Sequence, residues 1–226
     1  MRQDENDAAS RQYMPDEQDL PAGEMVPAID PAAAGERDPA DIARAHLYRM
    51  LAVLFARAPT HSTLAALAGI EGGQGAIGDA CRALAAKASM AAPDVLEREY
   101  FDLFIGVGRG EIVPYGSYYV TGFLQEKPLA RLRQDLGELG IERRPGSREL
   151  EDHIAVVCEI LAGLADGGFG TPEGADERFF VRHLMPWGAR FFADVAAARA
   201  SDFYRNVAAV GSALMAIEAE ASVRAA

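Results

Sequence analysis

The chain has 226 residues, half of them apolar and a quarter charged, the makeup of a soluble globular protein with room for one sizeable core. Its formal charge of −12 argues against nucleic acid and anionic membrane as partners and suits a cationic ligand. The acidic N-terminus lacks a secretory signal, and no run approaches the roughly 20 apolar residues that span a bilayer, so a cytoplasmic protein without stable membrane insertion is expected.

Residues 1–38 carry ten acidic residues against three arginines and are interrupted by Pro15, Pro21, Pro27 and Pro31, the pattern of a disordered acidic tail. From 39 to 226 the spacing is helical throughout. Ala43, Leu47, Met50, Leu51, Leu54 and Ala58 recur every three or four residues until Pro59 closes the helix. A second helix is predicted over 62–69, a Gly-rich loop over 69–78, and a third helix near 79–91. Pro93 opens a helix through Leu96, Tyr100, Leu103 and Phe104 that stops at Gly106. Loop 106–117 leads into aromatic residues, and Pro128 starts a helix that ends at Gly140.

Ser147 is placed as the N-cap of a helix over 148–165, followed by helices over 175–184, 186–199 and 202–222. No sustained alternation of apolar and polar residues, hairpin signal or βαβ spacing is present. The prediction is an all-α, single-domain helical bundle over 39–226. Cys81 and Cys158 fit buried reduced thiols.

Within the helix predicted over 148–165, Leu150, Ile154, Val157 and Leu161 fall within about 60° and form the core stripe. Glu149 and His153 lie together on the border of that stripe, with Asp152 farther toward solvent. Two readings stand side by side. The acids complement the helix dipole, or they form a small pocket that accepts guanidinium groups through charge-assisted bidentate hydrogen bonds, with His153 as neighbour. Tyr115, Tyr118 and Tyr119 could line a peptide groove or pack a loop. Gly106–Gly110 follows a helix and lacks the ending of a phosphate loop, so nucleotide binding there is a weaker alternative. His183 and Trp187, at helical spacing with Phe180 and Leu184, read as core.

Catalysis has little to stand on. The four histidines are scattered, the two cysteines form no C-x-x-C, and Ser117 lies outside a nucleophile elbow. No metal site and no tightly bound cofactor are expected.

Four segments, in order, resemble the TorD/DmsD family of chaperones. Tyr100-Phe-Asp-Leu103-Phe104-Ile-Gly106 is similar to its Y-x-x-L-F-x-G signature, and Pro114-Tyr-Gly-Ser117-Tyr-Tyr119 to its P-x-x-S-x-Y element. Glu149–His153 resembles the E-P-x-D-H box with Leu150 in place of Pro, and His183-Leu-Met-Pro186-Trp187 resembles H-L-x-P-W. The likeness spans roughly residues 40–215. It implies an all-helical, non-enzymatic chaperone that binds the twin-arginine leader of a molybdoenzyme precursor. Such a chaperone holds the precursor in the cytoplasm until molybdopterin guanine dinucleotide is inserted and Tat export follows.

Dimethyl sulfoxide or trimethylamine oxide reductases and formate dehydrogenases are the client types implied, and a homodimer by segment exchange is open. On this reading Glu149 and Asp152 take the arginines with His153 as their hydrogen-bonding neighbour, while Tyr115, Ser117, Tyr119 and Phe104 line or support a groove for the apolar part of the leader. Replacing Asp152 and His153 together is then expected to weaken binding without lowering melting. The alternatives are an all-α guanine-nucleotide-binding protein and a regulatory scaffold joining mature proteins.

Overall fold

In the computed structural model, which describes residues 25–27, 38–144 and 146–225, Asp38 opens the first helix. Its carboxylate accepts from the Ala40 amide at 2.8 Å and Pro39 presets the first turn, giving α1 (Pro39–Ala56). Thr60 caps α2 (His61–Ala68) by accepting from the Thr63 amide at 3.2 Å. After the Gly-rich loop come α3 (Gly75–Ala88) and α4 (Pro93–Tyr100), and α4 runs directly into a wide π turn, Phe101–Ile105. The turn closes when the Gly106 amide donates to the Phe101 carbonyl at 2.7 Å.

A short helix α5 (Gly116–Thr121) restarts in the aromatic residues, and α6 (Lys127–Leu139) ends on Gly140 at φ 67°, as the glycine position implies. The rest of the bundle is α7 (Ile154–Ala165), α8 (Ala175–His183), α9 (Gly188–Ala197) and α10 (Phe203–Ala225).

The fold is all-α, as the periodicity predicts, with one small addition. Strand β1 (Met25–Pro27) pairs antiparallel with β2 (Ile141–Arg143), Val26 opposite Glu142. Three-residue strands carry no alternation for a sequence to display. The tail expected over 1–38 otherwise falls outside the described residues, apart from Asp38.

The core is built on α7, whose residues are buried on every side from Ile154 to Cys158, and α1 packs along it. Helix α10 lies against α9 and α3. Phe55 sits in an aromatic cluster with Phe104, Phe191, Phe192 and Tyr204, at ring separations between 5.2 and 6.1 Å. Gly211 is required there, because a Cβ would come within 2.2 Å of the Phe192 ring. Both cysteines are buried and unpaired. Among the described residues no helix is long and apolar enough to cross a membrane.

Candidate functional site

The four segments singled out in the sequence converge. The Pro114 carbonyl accepts from the Ile154 amide at 2.9 Å, and the Gly116 amide donates to the Asp152 carbonyl at 2.8 Å. Tyr115 and His153 thereby form an isolated antiparallel bridge, and their rings meet edge to face at 5.0 Å. The Tyr115 hydroxyl donates to Glu149 Oε1 at 2.7 Å. Asp152 Oδ2 accepts from the Ser117 amide at 2.8 Å, so an acid 35 residues later in the chain caps α5.

Trp187 closes the arrangement from below. Its Nε1 donates to the His183 carbonyl at 2.6 Å, and a Cβ added to Gly116 would lie 3.0 Å from that nitrogen, so the α5 backbone rests on the indole. The His183 ring in turn meets Asp135 Oδ2 at 2.7 Å.

This geometry corrects the placement read from the sequence. The helix does not start after Ser147; it starts at Ile154, with His153 as N-cap accepting from the Ala155 amide at 3.2 Å. Residues 149–153 form a bend and a turn, and the Asp152 carbonyl and Ile154 amide at their end are engaged by Gly116 and Pro114. Asp152 and His153 are therefore buried, 2 % and 5 % exposed, not on the solvent border, while Glu149 is half-buried. Removing Asp152 and His153 together would strip two helix caps, so the expectation of unchanged melting does not survive.

The aromatic residues are half-buried and packed on one another rather than ranged along one open apolar groove. Ser117 is fully buried, Phe104 packs on Phe55, Tyr100 and Tyr204, and Tyr119 packs on both Trp187 and Phe191 at 5.7 and 5.8 Å. The signature residues Tyr100 and Leu103 are structural: the Tyr100 hydroxyl donates to the Phe55 carbonyl at 3.1 Å, and Leu103 is fully buried. Pro114 is buried at the crossing with Ile154, whereas Pro186 sits exposed between α8 and α9.

Gly106 holds φ 62°, and a Cβ on Gly110 would stand 2.5 Å from the Leu103 carbonyl. The loop doubles back tightly, with the Ile112 amide donating to Leu103 O at 2.8 Å, which accounts for its glycines without a phosphate.

Electrostatics divide the acids. Glu151, to which the motif alone assigns no role, is buried and held by Arg133 at 2.8 Å and Arg143 at 3.4 Å. Nothing local marks it, since both arginines come from α6 and β2. Asp152 Oδ1 and the Ser117 hydroxyl are buried and have no hydrogen-bond partner. Burial pushes the His153 imidazole below its usual range, against the pull of Glu149 and Asp152, so the ring is neutral and free to accept. Burial, with Glu149 adding, pushes the Tyr100 hydroxyl up to about 12.

Beside the site, Arg109, Tyr118, Tyr119, Arg190 and Asp194 border a polar cleft of about 430 Å³. A larger apolar groove of about 860 Å³ runs elsewhere, between α1 and α2–α3, past Leu47, Met50, Val53, Leu67 and Ile77.

Residues 71–193 match the family described as nitrate reductase delta subunit. Chaperone protein TorD of Shewanella loihica is 28% identical over 82% of this chain and 96% of its own length. Chaperone protein TorD of Vibrio cholerae serotype O1 is 31% identical over 41% of this chain, a stretch that spans under half of that protein, 46%. The crystal structure of a protein assigned to redox enzyme maturation in Archaeoglobus fulgidus shares the fold, with a TM-score of 0.56 at 19% identity over 81% of this chain and 97% of that one. The relatives are named as chaperones and not as catalysts. The chain belongs to the nitrate reductase delta subunit family and is a TorD-type chaperone.

Proposed function

We propose that this chaperone binds the twin-arginine leader of a molybdoenzyme precursor in the cytoplasm. It holds the precursor while molybdopterin guanine dinucleotide is inserted, and releases it for Tat export. The observation that carries the reading is the Asp152 carboxylate: buried, one oxygen on an amide and the other without a partner, with the Glu149 carboxylate nearby. A buried carboxylate oxygen without a donor is costly, and a guanidinium is the donor that matches a carboxylate best. Glu149, half-buried, is the accessible member through which an arginine first engages.

The test is calorimetric titration with a twin-arginine leader peptide and its Lys-Lys counterpart. Glu149→Gln keeps an acceptor for the Tyr115 hydroxyl and removes only the charge, so it should weaken Arg-Arg binding roughly tenfold at unchanged melting. Equal affinity for both peptides, or an unaffected Glu149→Gln variant, would remove the assignment. Binding of guanine nucleotide without leader would favour the nucleotide-binding alternative. Client binding that survives removal of the leader would favour the scaffold.

A further inference from the structure

A bidentate guanidinium uses both oxygens of a carboxylate, yet Asp152 Oδ2 already holds the Ser117 amide. Because that carboxylate is also only 2 % exposed, with α5 fastened against it, full engagement of an arginine at Asp152 requires α5 to move. That helix has six residues, too few to persist without tertiary support. Its N-terminal end is fastened through Asp152 twice, by carboxylate and by carbonyl, with the Tyr115 hydroxyl on Glu149 adjoining. At the other end the chain turns at Gly122 with φ 84° and at Gln125 with φ 58°, the one non-glycine residue at positive φ among those described. Beneath α5 lie Trp187 and Phe191, their rings 5.8 Å apart, covered by the Gly116 backbone and the Tyr119 ring.

We propose that α5 is a lid latched by Asp152 over an aromatic floor of Trp187 and Phe191, and that an arginine of the leader, by taking the Asp152 carboxylate, releases the lid so that the apolar segment following the arginines seats on that floor. The proposal rests on the leader-binding reading and extends it to where the apolar part goes. The occupant follows from chemistry on both sides: a guanidinium site and an apolar floor share one short helix as their common wall, and a twin-arginine leader presents a cationic pair followed by apolar residues. Lysine's ammonium is a strongly hydrated point charge that gives up more water on entering a buried carboxylate site and cannot span both oxygens, so it opens α5 less readily. Discrimination between arginine and lysine then arises from the movement of α5 as well as from contact.

Trp187 is the only tryptophan of the chain, so its fluorescence reports the floor alone. The experiment is acrylamide quenching of Trp187 in the full chain, with amide exchange over 116–121, for the unliganded protein, with Arg-Arg peptide and with Lys-Lys peptide. The Arg-Arg peptide should raise the quenching constant at least twofold and speed exchange of Ser117, while Lys-Lys leaves both unchanged. Without peptide, Asp152→Ala should already show the exposed state with helix content otherwise retained. Asp152→Asn, which keeps an acceptor for Ser117, should stay closed and lose the Arg-Arg response.

Calorimetric binding of the Arg-Arg peptide with no change at Trp187 overturns the lid, as does an Asp152→Ala variant quenched like the parent. Absence of leader binding with an exposed Trp187 in Asp152→Ala would sink the leader reading and the opening by arginine, while keeping the latch. Should Asp152→Ala fail to fold, the peptide arms and Asp152→Asn decide.

Discussion

His153 holds the Ala155 amide in the first turn of α7 through a ring lone pair, and that lone pair exists only in the neutral imidazole. Burial keeps the folded-state pKa below the unfolded value of about 6.5. The stability it contributes is therefore fully present above that pH and is lost as pH falls below it. His183, also lowered by burial although Asp135 opposes, adds in the same direction. Urea midpoints measured between pH 7.5 and 5 should fall on acidification, and His153→Asn, which keeps a capping acceptor without the titration, should flatten the curve. Trp187 is 4 % exposed and carries the α5 backbone, so Trp187→Ala should cost about 3–5 kcal/mol in equilibrium unfolding.

Among elements, α10 shows how far its start depends on another helix. Glu99, at the end of α4, accepts from the amides of Asp202, Phe203 and Tyr204 at 2.8, 3.1 and 2.8 Å. Glu99→Ala orphans all three amides and should lower unfolding stability by about 2 kcal/mol, with amide exchange rising first at 202–204. Most helices were legible because their ends are written locally: Pro39, Pro93, Pro128 and Gly140 fix boundaries whatever the rest of the fold does.

The start of α7 was not legible, since Ser147 followed by acids imitates a cap and first turn. The true boundary is set by Pro114 and Gly116, more than 30 residues earlier in the chain. The same reason hid the role of Asp152. Its type and position marked it as chemically active, but only the tertiary pairing turns it inward to cap α5. Glu99 and Glu151 gave no signal at all, because their partners are assembled by the bundle.

For the whole molecule, charge is the property that composition alone conveyed. The chain carries a net charge of −12, and on the proposed function a cationic leader would be drawn to it over a range set by screening. Leader association should slow as salt is raised from low to physiological strength. Dissociation, governed by the desolvated contacts at Asp152, should change much less; stopped-flow titration separates the two. The first turns of α7 are buried on every side and packed along α1, so the site hangs on the most deeply embedded helix start of the described residues.

The π turn at Phe101–Ile105 makes the downstream chain answer to arithmetic as well as to chemistry. Its closing bond spans five residues, from the Gly106 amide to the Phe101 carbonyl, one more than an α-helix allows. Exchanging the exposed Asp102 for another residue preserves that count. Deleting it would let α4 run on as a regular helix and turn the residues that follow by about 100° against α1, carrying Phe104 off the Phe55 ring that it now meets at 5.8 Å. At this point in the chain an omission and a replacement of the same side chain are different events, and a tolerant surface position becomes an intolerant length.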